Sequence, residues 1–450
     1  MNEGINDLSL FGSDPFWLVL IKVLGLFVLM MTLTILNVWI ERRILGRMQQ
    51  RKGPTFNGPF GLLQALADGM KLMFKEDFAP KNVDKFIYSL APFVMAVAAL
   101  STFAVIPLGG EVTMFGHQTR LQLVDSPVAV LLMLALTSIG IYGVVLGGWA
   151  ANSTYSLLGG LRSSAQLISY EIAMGLALVS VFIYAGSMST SQIVERQDQV
   201  QYVDLGPLSI PLPSWYAVVL IPSFVIYVIA IFGETNRQPF DMPESEGELG
   251  SGYMTEYSGF RYALYFLAEY INMLLVSCLA ATLFLGGYKA PFPFNLIPFV
   301  GENPWFGPLW LFMKAYLFMF LFMWVRASLP RVRYDQLMHL GWKILIPVGV
   351  VWTMLVATFR VGSAEGWLTS PTFLVIAGVL VVAVIVLGFL PTREPEPEPE
   401  PEFDAWAGGY PVPPPPGVTL PELSQVVRSD STIEGEADEE PASINEGAES

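Results

Sequence analysis

Apolar residues run in long blocks along most of this chain, and nearly all of the charge is gathered into the short stretches between them. Nine blocks stand out, at roughly 16–40, 86–108, 127–150, 166–185, 215–233, 262–285, 305–325, 343–359 and 372–390. A helix needs about 20 apolar residues to cross a bilayer. The eighth block is the shortest, and at about 1.5 Å per residue it must use its flanks to cross. Helices are what hydrocarbon demands, because every backbone polar group must bond internally there. No alternation of polar and apolar positions suggests barrel strands. The pattern predicts an all-α, polytopic membrane bundle of about nine transmembrane helices.

One apolar stretch does not fit that description. Residues 59–74 are too short and too polar to span. Their Leu62, Leu66, Met70 and Met73 recur at helical spacing, with Gln64, Asp68 and Lys71 on other faces. This predicts an amphipathic helix lying at the membrane interface. The loops set the orientation. Those joining blocks 1–2, 3–4, 5–6 and 7–8, counted with Lys343 at the edge of the eighth block, carry sixteen Lys and Arg residues, against four (Arg120, Arg196, Lys289 and Arg360) in the intervening loops. Basic loops stay in the cytoplasm, so the N-terminus is expected outside and the chain's C-terminus inside. Lys22 and Lys314 fall inside blocks near their outer ends, where each is expected to snorkel to the interface.

Composition sharpens the picture. Apolar residues make up 53% of the chain and charged residues 14%, outside the range of ordinary soluble domains. The net charge of −15 is mostly local, because residues 392–450 hold 15 acids and two arginines. That segment, with its Glu-Pro alternation at 394–402 and Pro413–Pro416, is too poor in apolar residues to fold alone. The division expected is a membrane domain at 1–391 and an acidic, Pro-rich cytoplasmic tail at 392–450. No nucleic-acid partner is expected. A single cysteine, Cys278, cannot hold an iron–sulfur cluster, and His117 and His339, read as loop residues, lie far apart. No metal site is expected. Met1 to Pro15 is acidic and polar, unlike the basic start of a cleavable signal peptide.

The chemistry should sit in the cytoplasmic loops and their flanks. Glu234, Asp241, Glu244, Glu246, Glu248 and Glu256 crowd one loop, with Arg237 among them. Acids this close cannot all ionise cheaply in a packed site, so some should take up and release protons near neutrality. The alternative is a solvated acidic loop that titrates normally. Within the blocks, Glu171 follows Ser169-Tyr170, and Glu269 lies about a third of the way into the sixth. A carboxylate in a bilayer costs a few kcal/mol, so each must face protein or water. Proton transfer is the default role; a protonated glutamate bonded between helices is the structural one.

Four loop motifs carry a more specific signal. The first is Glu41-Arg42-Arg43…Gly46-Arg47…Gly53-Pro54, continued by Gln64…Ala67-Asp68-Gly69…Lys71…Lys75-Glu76-Asp77. The second is Gly159-Gly160-Leu161-Arg162…Gln166…Ser169-Tyr170-Glu171. The third is Glu234-Thr235-Asn236-Arg237…Pro239-Phe240-Asp241…Glu244…Glu246…Glu248-Leu249, then Glu256-Tyr257-Ser258. The fourth is Arg326-Ala327-Ser328-Leu329-Pro330-Arg331-Val332-Arg333-Tyr334-Asp335-Gln336-Leu337. In order and content, over about residues 16 to 360, they resemble the four cytoplasmic loops of a known family. It is the quinone-chamber membrane component of respiratory complex I, the proton-pumping NADH–quinone oxidoreductase.

The resemblance implies a subunit that lines the quinone tunnel and begins the proton path, and that catalyses nothing alone. Quinone is the implied substrate, with no FMN or iron–sulfur cluster bound by this chain. Implied partners are the peripheral-arm subunits carrying the terminal cluster and quinone headgroup site, the small and antiporter-like membrane subunits, and the lipid bilayer. The implied proton-relay residues are Glu171, Glu234, Glu246, Glu248 and Glu269. The implied quinone chamber and docking surface takes in Arg42, Arg47, Arg51, Asp68, Arg237, Asp241, Glu244, Arg331 and Arg333. The ninth block and acidic tail go beyond the family's eight-span core. A homologous subunit of a related hydrogenase or dehydrogenase complex remains open, as does an independent ion-coupled transporter, although no inverted repeat is visible.

Overall fold

A chain whose apolar blocks are separated by charged loops folds by packing those blocks side by side. The computed structural model describes residues 14–198, 200–205, 208–242, 250–291, 294, 301 and 303–365, all within one unit that spans Met1–Ser370. The ninth block, the tail, Glu244, Glu246 and Glu248 lie outside the described residues.

Among the described residues, seven helices are long and apolar enough to cross a membrane. α1 (Phe16–Met48) is followed by the short α2 (Gln64–Phe74), then α3 (Lys85–Thr102), α4 (Ala129–Ala150) and α5 (Thr154–Ala185). Next come α6 (Thr190–Arg196), α7 (Tyr216–Val219), α8 (Ile221–Glu234), α9 (Gly259–Phe284) and α10 (Gly307–Ser328). The last described helix runs from α11 (Tyr334–His339) through a π-helical turn at Leu340–Leu345 into α12 (Ile346–Glu365). Two short antiparallel hairpins interrupt the helices, β1 (Glu111–Met114) with β2 (His117–Arg120), and β3 (Val200–Leu205) with β4 (Leu208–Pro213).

α9 is the centre of the bundle. It packs against α1, α2, α3, α8 and α10, and its residues from Ile271 onward are buried apart from Asn272. Around it α3 packs on α4, α4 on α5, and α5 on α8 and α12. α1 and the last helix keep most of their apolar side chains exposed or only partly buried, the pattern of helices with a lipid-facing side.

Four features depart from the sequence reading. The fifth block is broken: α7 stops at Val219, Leu220 leaves helical geometry at φ −114° and ψ 49°, and Pro222 opens α8. Proline suits a helix's first turn, where its missing N–H has no partner to lose. The eighth block extends backwards to Tyr334, so the helix is 30 residues long rather than marginal. His117 and His339 lie in β2 and α11 rather than in loops.

The fourth departure concerns Lys314, which is buried in the protein rather than reaching out to the interface. Lys314 is only 3% exposed. Its Nζ donates to the carbonyl oxygens of Leu285 (2.7 Å), Gly287 (2.9 Å) and Lys289 (2.8 Å). It thereby closes the C-terminal end of α9, where carbonyls lack helical partners and favour a cation. Lys22 donates to Asp14 Oδ2 at 2.6 Å and to Thr119 Oγ1, tying α1 to β2.

Candidate functional site

All four motif loops meet at one end of the bundle. Gln166 on α5 donates from Nε2 to the carbonyls of Gly233 (2.8 Å) and Phe240 (2.7 Å), pinning both sides of the third loop. Tyr170, one turn on, packs its ring near Phe240 and donates to the Leu337 carbonyl at 3.2 Å, which joins the fourth loop. Gly233 makes this approach possible, because a Cβ there would sit 2.3 Å from the Tyr170 ring. Val332 N–H donates to the Pro239 carbonyl at 3.0 Å, and Arg331 pairs with Asp241 at 3.3 Å. The first loop joins through Ser258, which exchanges 3.3 Å bonds with the Phe78 backbone, and is closed on itself by Arg42, which pairs with Asp68 on α2.

α1 runs past its apolar block as far as Met48, and this places Glu41 inside the bundle. Its carboxylate is a hub. Arg237 Nη1 lies 3.4 Å from Oε1, Arg326 Nη1 donates to the same oxygen, and Tyr270 OH donates to Oε2 at 2.6 Å. The Arg237 guanidinium also stands 4.4 Å from the centre of the Tyr270 ring. Burial works against the Arg237 charge, but Glu41, Tyr270 and Glu269 together outweigh it and hold the guanidinium protonated.

Three of the five glutamates singled out in the sequence, Glu171, Glu234 and Glu269, are among the described residues. Glu171 on α5 accepts from Ser138 Oγ and, at 3.4 Å, from Thr137 Oγ1, both on α4. Glu234 ends α8 in a buried position, and its Oε2 has no hydrogen-bond partner among the described residues; nor has Asn236 Oδ1. Glu269 on α9 accepts from Tyr253 OH at 3.3 Å. Burial, with Glu269 alongside, pushes the Tyr253 phenol well above its usual range, so it acts at neutral pH as a fixed donor.

A cavity of about 20 Å³ joins Glu234 to Glu269 and is lined by Thr137, Asn236 and Asn272 among others. That is room for about one water molecule, with polar partners on several sides. A second cavity, of about 10 Å³, is lined by Arg237, Asp241 and Arg326. Asn236 and Glu269 line both. Glu269 therefore stands between the carboxyl-lined cavity and the arginine hub.

The sequence from 21 to 357 matches the profile of the family described as NADH dehydrogenase. The chain belongs to this NADH dehydrogenase family. Two relatives, each named as the H subunit of an NADH-quinone oxidoreductase, are similar over almost their whole length. The one from Cutibacterium acnes is 55% identical over 408 residues, 90% of this chain and 92% of its own. The one from Streptomyces avermitilis is 50% identical over 433 residues, 93% of this chain and 91% of its own.

Within this family member the predicted residues sort into groups. Glu234 and Glu269 share one cavity, and Glu171 reaches it through Thr137. Arg237, Asp241 and Arg331 belong to the hub and its rim, and Arg42 with Asp68 links α1 to α2. Arg47, Arg51 and Arg333 are exposed at the same end. Sequence reasoning missed Glu41 as a site residue, together with Arg326, Tyr270, Tyr253, Thr137 and Ser138. Glu41 carried a signal, a single acid preceding a run of bases, but it read as the start of a loop because the apolar block ends just before it.

Proposed function

We propose that this chain is the membrane subunit of the proton-translocating NADH–quinone oxidoreductase that lines the quinone tunnel and starts the proton path. The observation that carries the proposal is the shared cavity. Two glutamates chosen from the sequence, Glu234 and Glu269, line one small cavity, a third, Glu171, contacts its wall through Thr137, and Glu269 also borders the arginine hub. A charge that changes at the hub side is felt by Glu269, which has an open polar route to Glu234 and, by the Thr137 hydroxyl, to Glu171. Such a route couples quinone chemistry at the motif end to proton movement inside the membrane. The exposed apolar side chains of α2, Leu66, Met70, Met73 and Phe74, suit a helix lying at the membrane interface beside the tunnel mouth. The exposed Arg47, Arg51 and Arg333 suit docking of the peripheral-arm subunits.

In this reading Glu246 and Glu248, with Glu244 on the docking side, extend the relay outward. The Glu246→Gln/Glu248→Gln double variant removes two titratable protons at constant size. Assembled complex carrying it is expected to lose most NADH-driven proton uptake into inverted vesicles, while NADH oxidation by artificial acceptors persists at the peripheral arm. Wild-type proton uptake would contradict the role given to these two residues.

The orientation belongs to the same proposal, with the motif end and the 392–450 tail in the cytoplasm of a bacterial cell. Reporter fusions placed after Pro391 and within 190–205 should give opposite readings. Matching signals would contradict the nine-helix topology.

A further inference from the structure

Glu171 is met from α4 by two hydroxyl groups, and their hydrogen-bond arithmetic is unusual. Ser138 Oγ lies 2.9 Å from the Leu134 carbonyl oxygen, and Thr137 Oγ1 lies 2.8 Å from the same oxygen. The same two hydroxyl oxygens contact Glu171 Oε1, Ser138 closely and Thr137 at 3.4 Å. That makes four contacts, but a hydroxyl carries one proton, so the pair can donate only twice.

Two arrangements satisfy the geometry without moving a heavy atom. When Glu171 is ionised its carboxylate can only accept, so both hydroxyl protons turn towards Oε1. The Leu134 carbonyl then keeps its ordinary helical partner, the N–H of Ser138. When Glu171 is protonated, its own O–H donates to Ser138 Oγ, and the two hydroxyl protons turn back to the Leu134 carbonyl. The proton gained or lost is always the carboxyl's own; the hydroxyls reorient and are unchanged at the end. A half-buried carboxyl supplied with partners for only one charge state would be biased towards that state. This one is supplied for both.

The position fits the task. Thr137 is also part of the wall of the cavity that holds Glu234 and Glu269. From α8, the nearest titratable group is Glu234, in the cavity that Thr137 also lines, and from α4 the facing groups are the two hydroxyls. We propose that Thr137 and Ser138 are positioning residues that hold Glu171 in either charge state by turning their hydroxyl protons, so that it exchanges a proton without helix movement. This rests on the relay reading of Glu171 given above. The competing account is ordinary back-bonding, in which Ser and Thr hydroxyls merely satisfy themselves on the preceding turn.

The test uses the assembled complex in native membranes and compares Thr137→Val/Ser138→Ala with Glu171→Gln. NADH oxidation by an artificial acceptor scores assembly in each. The double variant is expected to lower kcat for quinone reduction about tenfold, the scale of one charge-assisted hydrogen bond, with KM for quinone unchanged. Its solvent deuterium isotope effect should rise as proton transfer becomes limiting. Thr137→Ser in the Ser138 background, which keeps both hydroxyls, should restore kcat and the isotope effect. Impaired Glu171→Gln beside a double variant with wild-type kcat and isotope effect would overturn the hydroxyl proposal alone. Wild-type turnover in Glu171→Gln would overturn the relay reading itself, and this proposal with it. If the double variant does not assemble, Ser138→Ala alone removes one oxygen and is read by the same outcomes.

Discussion

Replacing Glu41 by glutamine is expected to remove most of the assembled complex from the membrane. Glu41 is almost fully buried and is the counter-charge of Arg237, which is itself buried, and of Arg326, which is partly exposed. Breaking a buried pair by removing one partner costs about 3–5 kcal/mol, because the remaining charge keeps its desolvation penalty and loses its compensation. Glutamine preserves the shape, but its single oxygen can accept from Tyr270 or from the arginines and not from both, so the loss would report charge and hydrogen bonding rather than packing. Exchanging both partners, Glu41→Met with Arg237→Met, should recover part of the assembly, since an apolar pair of similar volume avoids the unpaired charge. Arg326 can then reach solvent. The amount of complex on native gels and its thermal midpoint measure both effects. Wild-type levels in Glu41→Gln would show that the hub is not needed to close the four loops together.

The bundle was largely legible in the chain, and the reasons for the misses are physical. Seven apolar blocks became membrane-length helices because about 20 apolar residues in hydrocarbon have few alternatives. The break at Leu220 was hidden because its neighbours are as apolar as the helices it separates; Pro222 was the one local sign. Lys314 was misread because distance from a block's end says nothing about what packs there. Only the fold puts three unpaired carbonyls beyond α9 within its reach. Glu41 was missed for the opposite reason, since α1 continues as a helix well after its apolar pattern ends.

The candidate site was legible in a similar, partial way. Glu171 and Glu269 announced themselves as carboxylates inside apolar blocks, and Glu234 as the head of an acid-rich loop. The motifs placed Gln166 and Tyr170 in view without saying that they pin the third and fourth loops. Thr137 and Ser138 gave no signal, because single hydroxyls in an apolar helix usually bond to their own backbone. Their importance depends on α4 lying against α5 at the level of Glu171.

The second large effect is expected at Glu234, the carboxyl with an unpartnered oxygen in the shared cavity. Glu234→Gln keeps the size and removes the proton that a relay must carry. Proton transfer by a positioned group contributes about 10²–10⁴-fold, so quinone-linked turnover should fall by about a hundredfold or more. Glu269→Gln should behave similarly, because Glu269 joins the cavity to the arginine hub. Neither change should touch electron entry at the peripheral arm.

The decisive measurement is quinone reductase activity and artificial-acceptor reductase activity on the same assembled preparations of Glu234→Gln and Glu269→Gln. A shared relay predicts that quinone reduction collapses in both while acceptor reduction stays at the wild-type level. Wild-type quinone reduction in either variant would contradict it, and would leave the buried carboxyl groups as structural contacts between helices.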